Sequence, residues 1–226
     1  MKPKLTLIVG GGGVLGGALA QVFSSAGYTV VGLRRGEAAM GGSMRSLTCD
    51  LQDATQTRAA VSAAIEEYSG IEVLICNAAS FHCAPFMTLS DADFAETWRA
   101  SVASSVGAAQ AALPSMLGQG RGVILFSGAT ASLRGAANFA AFASAKFAVR
   151  GLAQSLAREY QARGVHVAHI ILDGILGGSG SAQRLGVAPD HAIDPHGAAV
   201  EYLRLAEQPA SAWTHELDLR PSTEKF

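Results

Sequence analysis

A glycine-rich stretch near the amino end limits the possible folds more than any other feature of this sequence. Four consecutive glycines at residues 10–13 directly follow the apolar run Leu5–Val9, and Gly16 completes the spacing GxGxxG with Gly11 and Gly13. Glycine permits positive φ and lets a ligand approach the backbone closely. A helix that starts there offers free N–H groups to a diphosphate. The pattern therefore predicts a buried strand, a phosphate-binding turn and a helix, in that order.

Apolar runs of strand length alternate with helical patterns along the rest of the chain. Strands are expected at Leu5–Val9, Tyr28–Val31, Ser46–Cys49, Val73–Cys76, Val123–Phe126, Val165–Leu172 and Glu216–Leu219. Helices are expected at Ala18–Ala26, Ala54–Tyr68, Asp91–Met116 (with room for one interruption), Phe139–Ala162 and Pro195–Ala206. Such alternation predicts a doubly wound α/β fold, with a mostly parallel sheet between two helical layers. We expect one Rossmann-type domain over residues 1–226.

Charge and hydropathy exclude several kinds of partner. The net charge is −1 and no basic face is evident, which argues against binding of nucleic acid. Lys2 and Lys4 precede an apolar stretch that superficially looks like a signal peptide, but its many glycines are poor helix formers. No stretch reaches the roughly 20 apolar residues of a membrane span. We therefore expect a cytoplasmic protein that does not bind membranes.

The cysteines indicate a reducing environment. Cys49, Cys76 and Cys83 are an odd number without paired spacing, so neither a disulfide framework nor a metal site is expected. Buried thiols on or near strands are the simplest interpretation.

Two arginines stand where a cofactor would be selected. In parallel sheets, ligands bind beyond the carboxyl ends of the strands, and proteins that prefer NAD usually have a carboxylate after the second strand. Here that strand runs into Arg34 and Arg35. Because a guanidinium group matches a phosphate in charge and geometry, we expect NADP(H) to be favoured, with NAD(H) possible. A pair of solvated surface charges is the alternative.

Five motifs occur in a diagnostic order. They are the glycine turn, Asp50-Leu51, Cys76-Asn77-Ala78-Ala79, Phe142-Ala143-Ser144-Ala145-Lys146 and Asp173-Gly174. Together they resemble the short-chain dehydrogenase/reductase family, in which the corresponding markers are the glycine motif, an Asp that contacts adenine, Asn-Asn-Ala-Gly, Tyr-x-x-x-Lys and Pro-Gly. The resemblance implies cofactor contacts from Gly10, Gly11, Gly12, Gly13, Leu15, Gly16, Arg34, Arg35, Asp50, Leu51, Asn77, Ala78, Ala79, Lys146, Gly174 and Ile175. One departure is Val14, which replaces the family's middle glycine and could shift the diphosphate.

The catalytic positions depart further from the family. Its Asn, Ser, Tyr and Lys correspond to Ser101, Ala129, Phe142 and Lys146, so only the lysine is retained. In the family the tyrosine exchanges a proton with the substrate oxygen, the serine positions the carbonyl, and the lysine lowers the tyrosine pKa and holds the nicotinamide ribose. Phenylalanine cannot donate a proton, and losing a positioned acid costs about 10²–10⁴-fold in rate. Lys146 could still hold the ribose, or it could be a surface helix charge.

Other groups could supply the proton. His82 lies on a loop that borders the substrate pocket in the family, and histidine titrates near neutral pH. Hydroxyls that could orient a carbonyl or relay a proton are Ser127, Thr130 and Ser132. Asp173 would lie near the nicotinamide carboxamide. Each also has a simpler interpretation, as a loop hydrogen bond or, for Asp173-Gly174, a local turn. His166 and His169 are expected to be strand residues satisfied by their neighbours.

The substrate side looks apolar. Residues that could border it are Phe81, Phe86, Met87, Phe142 and Ile175. A glycine- and serine-rich loop is expected at Gly174–Gly180. The run Leu176–Ser181 corresponds to the family's substrate lid, although a plain surface loop is equally compatible with it.

Three functions are compatible with these observations. The first is an NADP-dependent oxidoreductase with a rearranged acid/base group. The second is a non-catalytic cofactor binder, a sensor or structural subunit, and the third is an enzyme for a different reaction. The resemblance also implies a homodimer or homotetramer, paired through the alanine- and serine-rich helices Asp91–Met116 and Phe139–Ala162. The segment at residues 212–219 would be a final strand suited to subunit contact.

Overall fold

A parallel sheet of seven strands carries the site. The computed structural model describes residues 4–36 and 43–224, so Lys2 lies outside the described residues. The strands are β1 (Leu5–Val9), β2 (Thr29–Arg34), β3 (Arg45–Thr48), β4 (Val73–Cys76), β5 (Gly122–Ser127), β6 (Val165–Leu172) and β7 (Glu216–Leu219). They lie in the order β3-β2-β1-β4-β5-β6-β7, and each neighbouring pair is parallel. This confirms the doubly wound α/β prediction, with the change of direction between β1 and β4.

Helices cover both faces of the sheet. They are α1 (Gly13–Ser25), α2 (Ala54–Tyr68), α3 (Asp91–Trp98), α4 (Ser104–Gln119), α5 (Ala140–Tyr160), α6 (Gly180–Leu185) and α7 (Pro195–Ala206). One apolar cluster joins the sheet to α2, α4 and α5, and a second joins its other face to α1 and α7. Because β1, β4 and β6 are buried on both faces, their sequences are mostly apolar, interrupted in β1 by Thr6 and in β6 by His166 and His169.

Several predicted boundaries were wrong. Helix α1 begins at Gly13 rather than Ala18. Its glycines disfavour a helix by propensity, but Gly16 is required by close packing against the Gly11 carbonyl oxygen. Strand β2 continues to Arg34, and β3 is shifted to Arg45–Thr48. The long helix predicted from Asp91 is α3 and α4 joined by a π-helical segment, Arg99–Ala103, which no hydrophobic period reveals.

Three further findings concern the cysteines, the helices and the groups that could bind a metal. Cys49 and Cys76 are buried free thiols, whereas Cys83 is exposed, so the expectation of buried thiols was wrong for Cys83. Among the helices within the described ranges, none combines the length and apolar character needed to cross a bilayer. Those ranges also hold no group of three or more His, Cys, Asp or Glu side chains placed to share a metal ion.

Candidate cofactor and active site

A cavity of about 400 Å³ opens beyond the carboxyl ends of β1, β2 and β4. It is lined by Gly10, Gly12, Gly13, Arg34, Arg35, Leu51, Gln52, Asn77, Ala78, Ala79 and Ala100. The structure thus brings most of the cofactor residues expected from the sequence into one cleft. Gln52 and Ala100 were not anticipated, because Gln52 belongs to no motif and Ala100 lies in the π-helical segment.

The glycine turn has the geometry that an anion site needs. Gly10 has φ +88°, and a Cβ there would come within 2.6 Å of the Ala78 nitrogen. The Asn77 amide donates to the Gly10 carbonyl oxygen at 2.9 Å and holds the turn against the end of β4. Gly12 caps α1 without a side-chain hydrogen bond, and neither Gly12 nor Gly13 would place a Cβ within 4 Å of another atom. The start of α1 therefore has free N–H groups that no side chain caps, and open space lies beside Gly12 and Gly13.

The departure at Val14 does not distort the turn. Val14 lies in the first turn of α1 and is not among the described residues with positive φ, so its backbone does not require glycine. Gly16 supplies the close contact instead, since a Cβ there would lie 2.5 Å from the Gly11 carbonyl oxygen. A Cβ added at Gly178 would come 3.6 Å from Val14 Cγ1, so the loop after β6 passes over this turn.

The two arginines lie at the end of the cleft beside strand β2. Arg34 is partly buried and Arg35 is exposed, and both line the cavity. The buried Nε of Arg34 has no hydrogen-bond partner within residues 4–36 and 43–224. A buried guanidinium nitrogen without a partner is costly, and an anionic ligand would satisfy it.

The remaining predicted cofactor residues lie around the cleft rather than on its wall. Gly11 and Gly16 pack beneath the turn, and Leu15 is in the core. Asp50 is exposed, and its carboxylate accepts a hydrogen bond from the Gln52 N–H at 3.0 Å. Gly174 and Ile175 follow the end of β6, two strands beyond β4.

Lys146 is buried rather than a surface charge. Its side chain projects from α5, only 5% of the residue is exposed, and Nζ donates to the Ser127 carbonyl oxygen at 2.7 Å. Burial lowers the Lys146 pKa to about 8. The ammonium group also lies 5.7 Å from the centre of the Phe142 ring.

The other positions that correspond to the family tetrad are apolar or enclosed. Phe142 packs edge-to-face on Phe81, with ring centres 5.1 Å apart. Ala129 follows β5, and its N–H donates to Ser132 Oγ at 3.1 Å. Ser101 is buried in the π-helical segment beside Ala100, and its Oγ has no hydrogen-bond partner in the described part of the chain.

His82 lies between two carboxylates of α3. Its Nδ1 is 3.7 Å from Asp93 Oδ1, its Nε2 is 3.7 Å from Glu96 Oε2, and Ser80 Oγ lies 3.3 Å from Nε2. Its role as a proton donor stays a prediction, and these contacts direct the ring toward α3.

Asp173 has partners that the sequence did not reveal. The residue is 0% exposed and accepts a hydrogen bond from Thr130 Oγ1 at 2.5 Å. Arg220 Nη2 lies 3.1 Å from its Oδ2, and Arg134 Nη2 lies 3.5 Å from its Oδ1. The simpler interpretation as a local turn is therefore insufficient. Because both arginines are distant in sequence, no motif connects them with Asp173.

The two strand histidines contact their neighbours, but the expectation that those neighbours satisfy them was wrong for three ring nitrogens. His166 Nδ1 and both nitrogens of His169 are buried without a hydrogen-bond partner within the described residues. His166 stacks on Trp213 with ring centres 4.9 Å apart, and its Nε2 lies 2.8 Å from the Thr214 carbonyl oxygen. His169 Nδ1 is 3.4 Å from Glu216, and burial lowers the His169 pKa to about 4. A Cβ at Gly128 would lie 2.3 Å from His169 Nε2.

The substrate side is only partly apolar. Phe81 packs on Phe142 and Phe139, and the guanidinium of Arg184, from α6, lies 5.8 Å from the Phe81 ring centre. Phe86 and Met87 are strongly exposed. The expected loop is shorter than predicted, because Ser179 caps α6 and residues from Gly180 onward are helical.

Comparisons of the sequence with known proteins identify its relatives. A family model described as short chain dehydrogenase matches residues 4–184. The 3-oxoacyl-[acyl-carrier-protein] reductase MabA of Mycobacterium tuberculosis is 30% identical over 173 residues, covering 76% of this chain and 69% of that protein. The 2-(S)-hydroxypropyl-CoM dehydrogenase 3 of Xanthobacter autotrophicus is 31% identical over 198 residues, covering 82% and 76% respectively.

Solved structures give the same assignment. A short-chain dehydrogenase from Rhodopseudomonas palustris superposes with a TM-score of 0.81 at 33% identity, covering 96% of this chain and 98% of that one. A metagenomic short-chain oxidoreductase in complex with NADP shares the fold, with a TM-score of 0.82 at 23% identity and 98% coverage of both chains. The chain belongs to the short-chain dehydrogenase/reductase family of oxidoreductases.

Proposed function

We propose that this protein is an NADP(H)-dependent oxidoreductase that acts on a carbonyl or alcohol group of a small-molecule substrate. The observation that carries the proposal is the cleft, which joins a phosphate-binding glycine turn to Arg34 and Arg35. NAD(H) is the alternative cofactor, because the turn would bind the diphosphate of either one.

The residues of the cleft fit such a cofactor. The start of α1 has no side-chain cap, the space beside Gly12 and Gly13 is open, and Arg34 Nε has no partner among the described residues. We assign the diphosphate to the N–H groups of the turn and the additional phosphate of NADP(H) to the arginine pair. When bound, the nicotinamide ring supplies or accepts a hydride.

Lys146 would hold the nicotinamide half of the cofactor. An ammonium group has three N–H donors, and one of them already binds the Ser127 carbonyl oxygen. The other donors are available for ribose hydroxyls. Since Phe142 has no acidic proton and Ala129 has no hydroxyl, the substrate oxygen must exchange its proton with a different group.

A second function, cofactor binding without catalysis, is favoured by one specific contact. Phe81 packs directly on Phe142, so apolar rings occupy the place where the family's tyrosine acts. A sensor or structural subunit would need the cleft but no proton donor there.

We further propose that the protein forms a homodimer or homotetramer through α3, α4 and α5. Two large exposed apolar side chains support this proposal: Trp98 of α3 is 49% exposed and Phe147 of α5 is 44% exposed. The exposed free thiol of Cys83 supports a cytoplasmic location, where thiols stay reduced.

Binding and turnover test the proposal separately. Purified protein is titrated with NADPH, NADP⁺, NADH and NAD⁺, and the change in tryptophan fluorescence gives each dissociation constant. NADPH consumption is then followed with ethyl acetoacetate, 2,3-butanedione and 4-nitrobenzaldehyde. We expect tightest binding of the NADP forms and turnover of at least one carbonyl. Absence of affinity for all four cofactors would refute the proposal, and binding without turnover would favour the non-catalytic alternative.

A further inference from the structure

The order of the strands determines which groups lie near the reacting end of the cofactor. The cleft extends from Arg34, after β2, across the glycine turn to Ala79, after β4. The next strands in the sheet are β5 and β6. A dinucleotide bound with its adenosine beside the arginines therefore extends its nicotinamide toward the ends of β5 and β6. Thr130 and Asp173 are located at those two ends.

Among the hydroxyl groups after β5, Thr130 is the accessible one. Ser127 is buried, and its Oγ accepts a hydrogen bond from Tyr202 at 2.8 Å. Ser132 is fully buried, and its Oγ accepts from the Ala129 N–H. Thr130 is only partly buried, and it begins a 3-10 turn, Thr130–Ser132, that packs against α5.

Thr130 is also coupled to a buried carboxylate. Its hydroxyl donates to Asp173 Oδ1 at 2.5 Å, and Asp173 has no exposed surface. Two cations face this carboxylate: Arg220, from the end of β7, and Arg134, from the segment after the 3-10 turn. A hydroxyl that donates to a buried carboxylate can accept a second hydrogen bond with its oxygen, and its proton has an acceptor behind it.

We infer that Thr130 and Asp173 form the proton relay that acts in place of the missing tyrosine. This inference rests on the proposed function. Thr130 is the catalytic residue that touches the substrate oxygen, and Asp173 is a positioning residue that orients the hydroxyl and holds the proton behind it.

The relay balances in both directions. In alcohol oxidation the substrate O–H bond breaks, its proton passes to Thr130 Oγ1, and the proton of Thr130 passes to Asp173. The adjacent C–H bond breaks, its electron pair leaves as hydride to the nicotinamide of NADP⁺, and the C=O bond forms. After product release, Asp173 returns its proton to water through Thr130. Carbonyl reduction by NADPH reverses each of these transfers.

Three substitutions and a control test the relay with the full-length protein. Thr130→Val removes the hydroxyl, whereas Thr130→Ser keeps one. Asp173→Asn keeps an oxygen that can accept a hydrogen bond from Thr130, but this amide oxygen is too weak a base to take the proton. The matched control is Thr29→Val. Thr29 is the first residue of β2, so it lies at the amino ends of the strands, away from the carboxyl ends where the cleft opens. Each variant is measured for NADPH affinity by fluorescence, for stability by urea unfolding, and for kcat with the three carbonyl probes named above.

The expected pattern separates the relay from a structural role. Thr130→Val and Asp173→Asn should lower kcat by about 10²-fold or more. Thr130→Ser should retain kcat to within about tenfold, and NADPH affinity should change by less than about threefold in all variants. A kcat of Thr130→Val within about threefold of wild type would overturn the relay while leaving the proposed function standing. A wild-type protein that binds NADPH but turns over none of the three probes would overturn both.

Discussion

The ammonium group of Lys146 donates a hydrogen bond to the main-chain carbonyl oxygen of Ser127, 2.7 Å away, and thereby joins helix α5 to the end of strand β5. Phe142 lies one helical turn earlier on α5, and α5 packs against the 3-10 turn that begins at Thr130. The lysine retained from the family pattern therefore has a structural partner within the chain, in addition to any role toward a cofactor.

The first prediction concerns how the buried Lys146 side chain makes the stability of the protein depend on pH. Burial lowers the Lys146 pKa from 10.5 to about 8 in the folded protein. Between these values the unfolded chain binds more protons than the folded one, so stability rises with pH. The free energy of unfolding of wild type, minus that of Lys146→Met, should increase by at most roughly 3 kcal/mol from pH 8 to pH 10.5. Urea unfolding across this range measures it, and a pH-independent difference would contradict it.

The second prediction compares two adjacent glycines in α1. A Cβ at Gly16 would lie 2.5 Å from the Gly11 carbonyl oxygen, whereas a Cβ at Gly17 has no such neighbour within 4 Å. Gly16→Ala should cost about 1–3 kcal/mol and weaken NADPH binding, because the turn must shift. Gly17→Ala should be neutral or stabilising by up to about 1 kcal/mol, because alanine favours the helix. Urea unfolding and cofactor titration distinguish them, and equal effects would be evidence against the close contact.

The third prediction concerns cofactor choice. A hydrogen bond to a charged group contributes about 1.5–3 kcal/mol, so Arg34→Ala should weaken NADPH binding by about 10- to 100-fold. Arg35→Ala should act in the same direction but less strongly, because Arg35 is exposed. The affinity for NADH should change by less than about threefold. Arg58→Ala serves as the control, since Arg58, on α2, donates a hydrogen bond to Gln110 of α4 and is not among the residues that line the cavity. Equal losses for NADPH and NADH would argue against phosphate recognition.

The fourth prediction is that restoring tyrosine alone restores little. Phe142 is packed on Phe81, and the positions corresponding to the family's serine and asparagine are Ala129 and Ser101. Phe142→Tyr should therefore change kcat by less than about threefold with the three carbonyl probes. The single variant is compared with the double variant Phe142→Tyr with Ala129→Ser, which restores both the tyrosine and the serine of the family. A gain of about 10²-fold from the single change would contradict the relay assigned to Thr130.

The fifth prediction concerns assembly. Phe147→Asp places a charge on α5 where a large apolar side chain is exposed, so it should shift a dimer or tetramer toward a smaller species. Leu185→Asp is the control, because Leu185 is similarly exposed, at 47%, but lies on α6. Light scattering coupled to size exclusion measures the mass. A wild-type monomer at micromolar concentration would refute the proposed assembly.

The sequence predicts the architecture well because most of its strands are buried on both faces. Runs such as Val73–Cys76 are then apolar throughout, and the glycine turn marks where the first helix begins. The start of α1 was misplaced because intrinsic propensity disfavours glycine in helices, whereas Gly16 is needed where α1 contacts its own turn.

The site was predicted only where its residues are local in sequence. The cleft from Gly10 to Ala79 could be assembled from motifs at strand ends. The contacts of Asp173 with Arg134 and Arg220 depend on which strands lie side by side, and one sequence does not give that pairing. The π-helical segment around Ser101 likewise follows from packing and has no sequence period of its own.

Gly128 has a consequence for redesigning this protein. Any side chain at this position would meet the His169 ring and the Ile170 carbonyl oxygen, because the polypeptide there packs directly against strand β6. Mutant libraries aimed at new chemistry should leave residue 128 unchanged and vary Ala129 and Thr130. Substitutions at Gly128 would be lost through misfolding before their catalysis could be assayed.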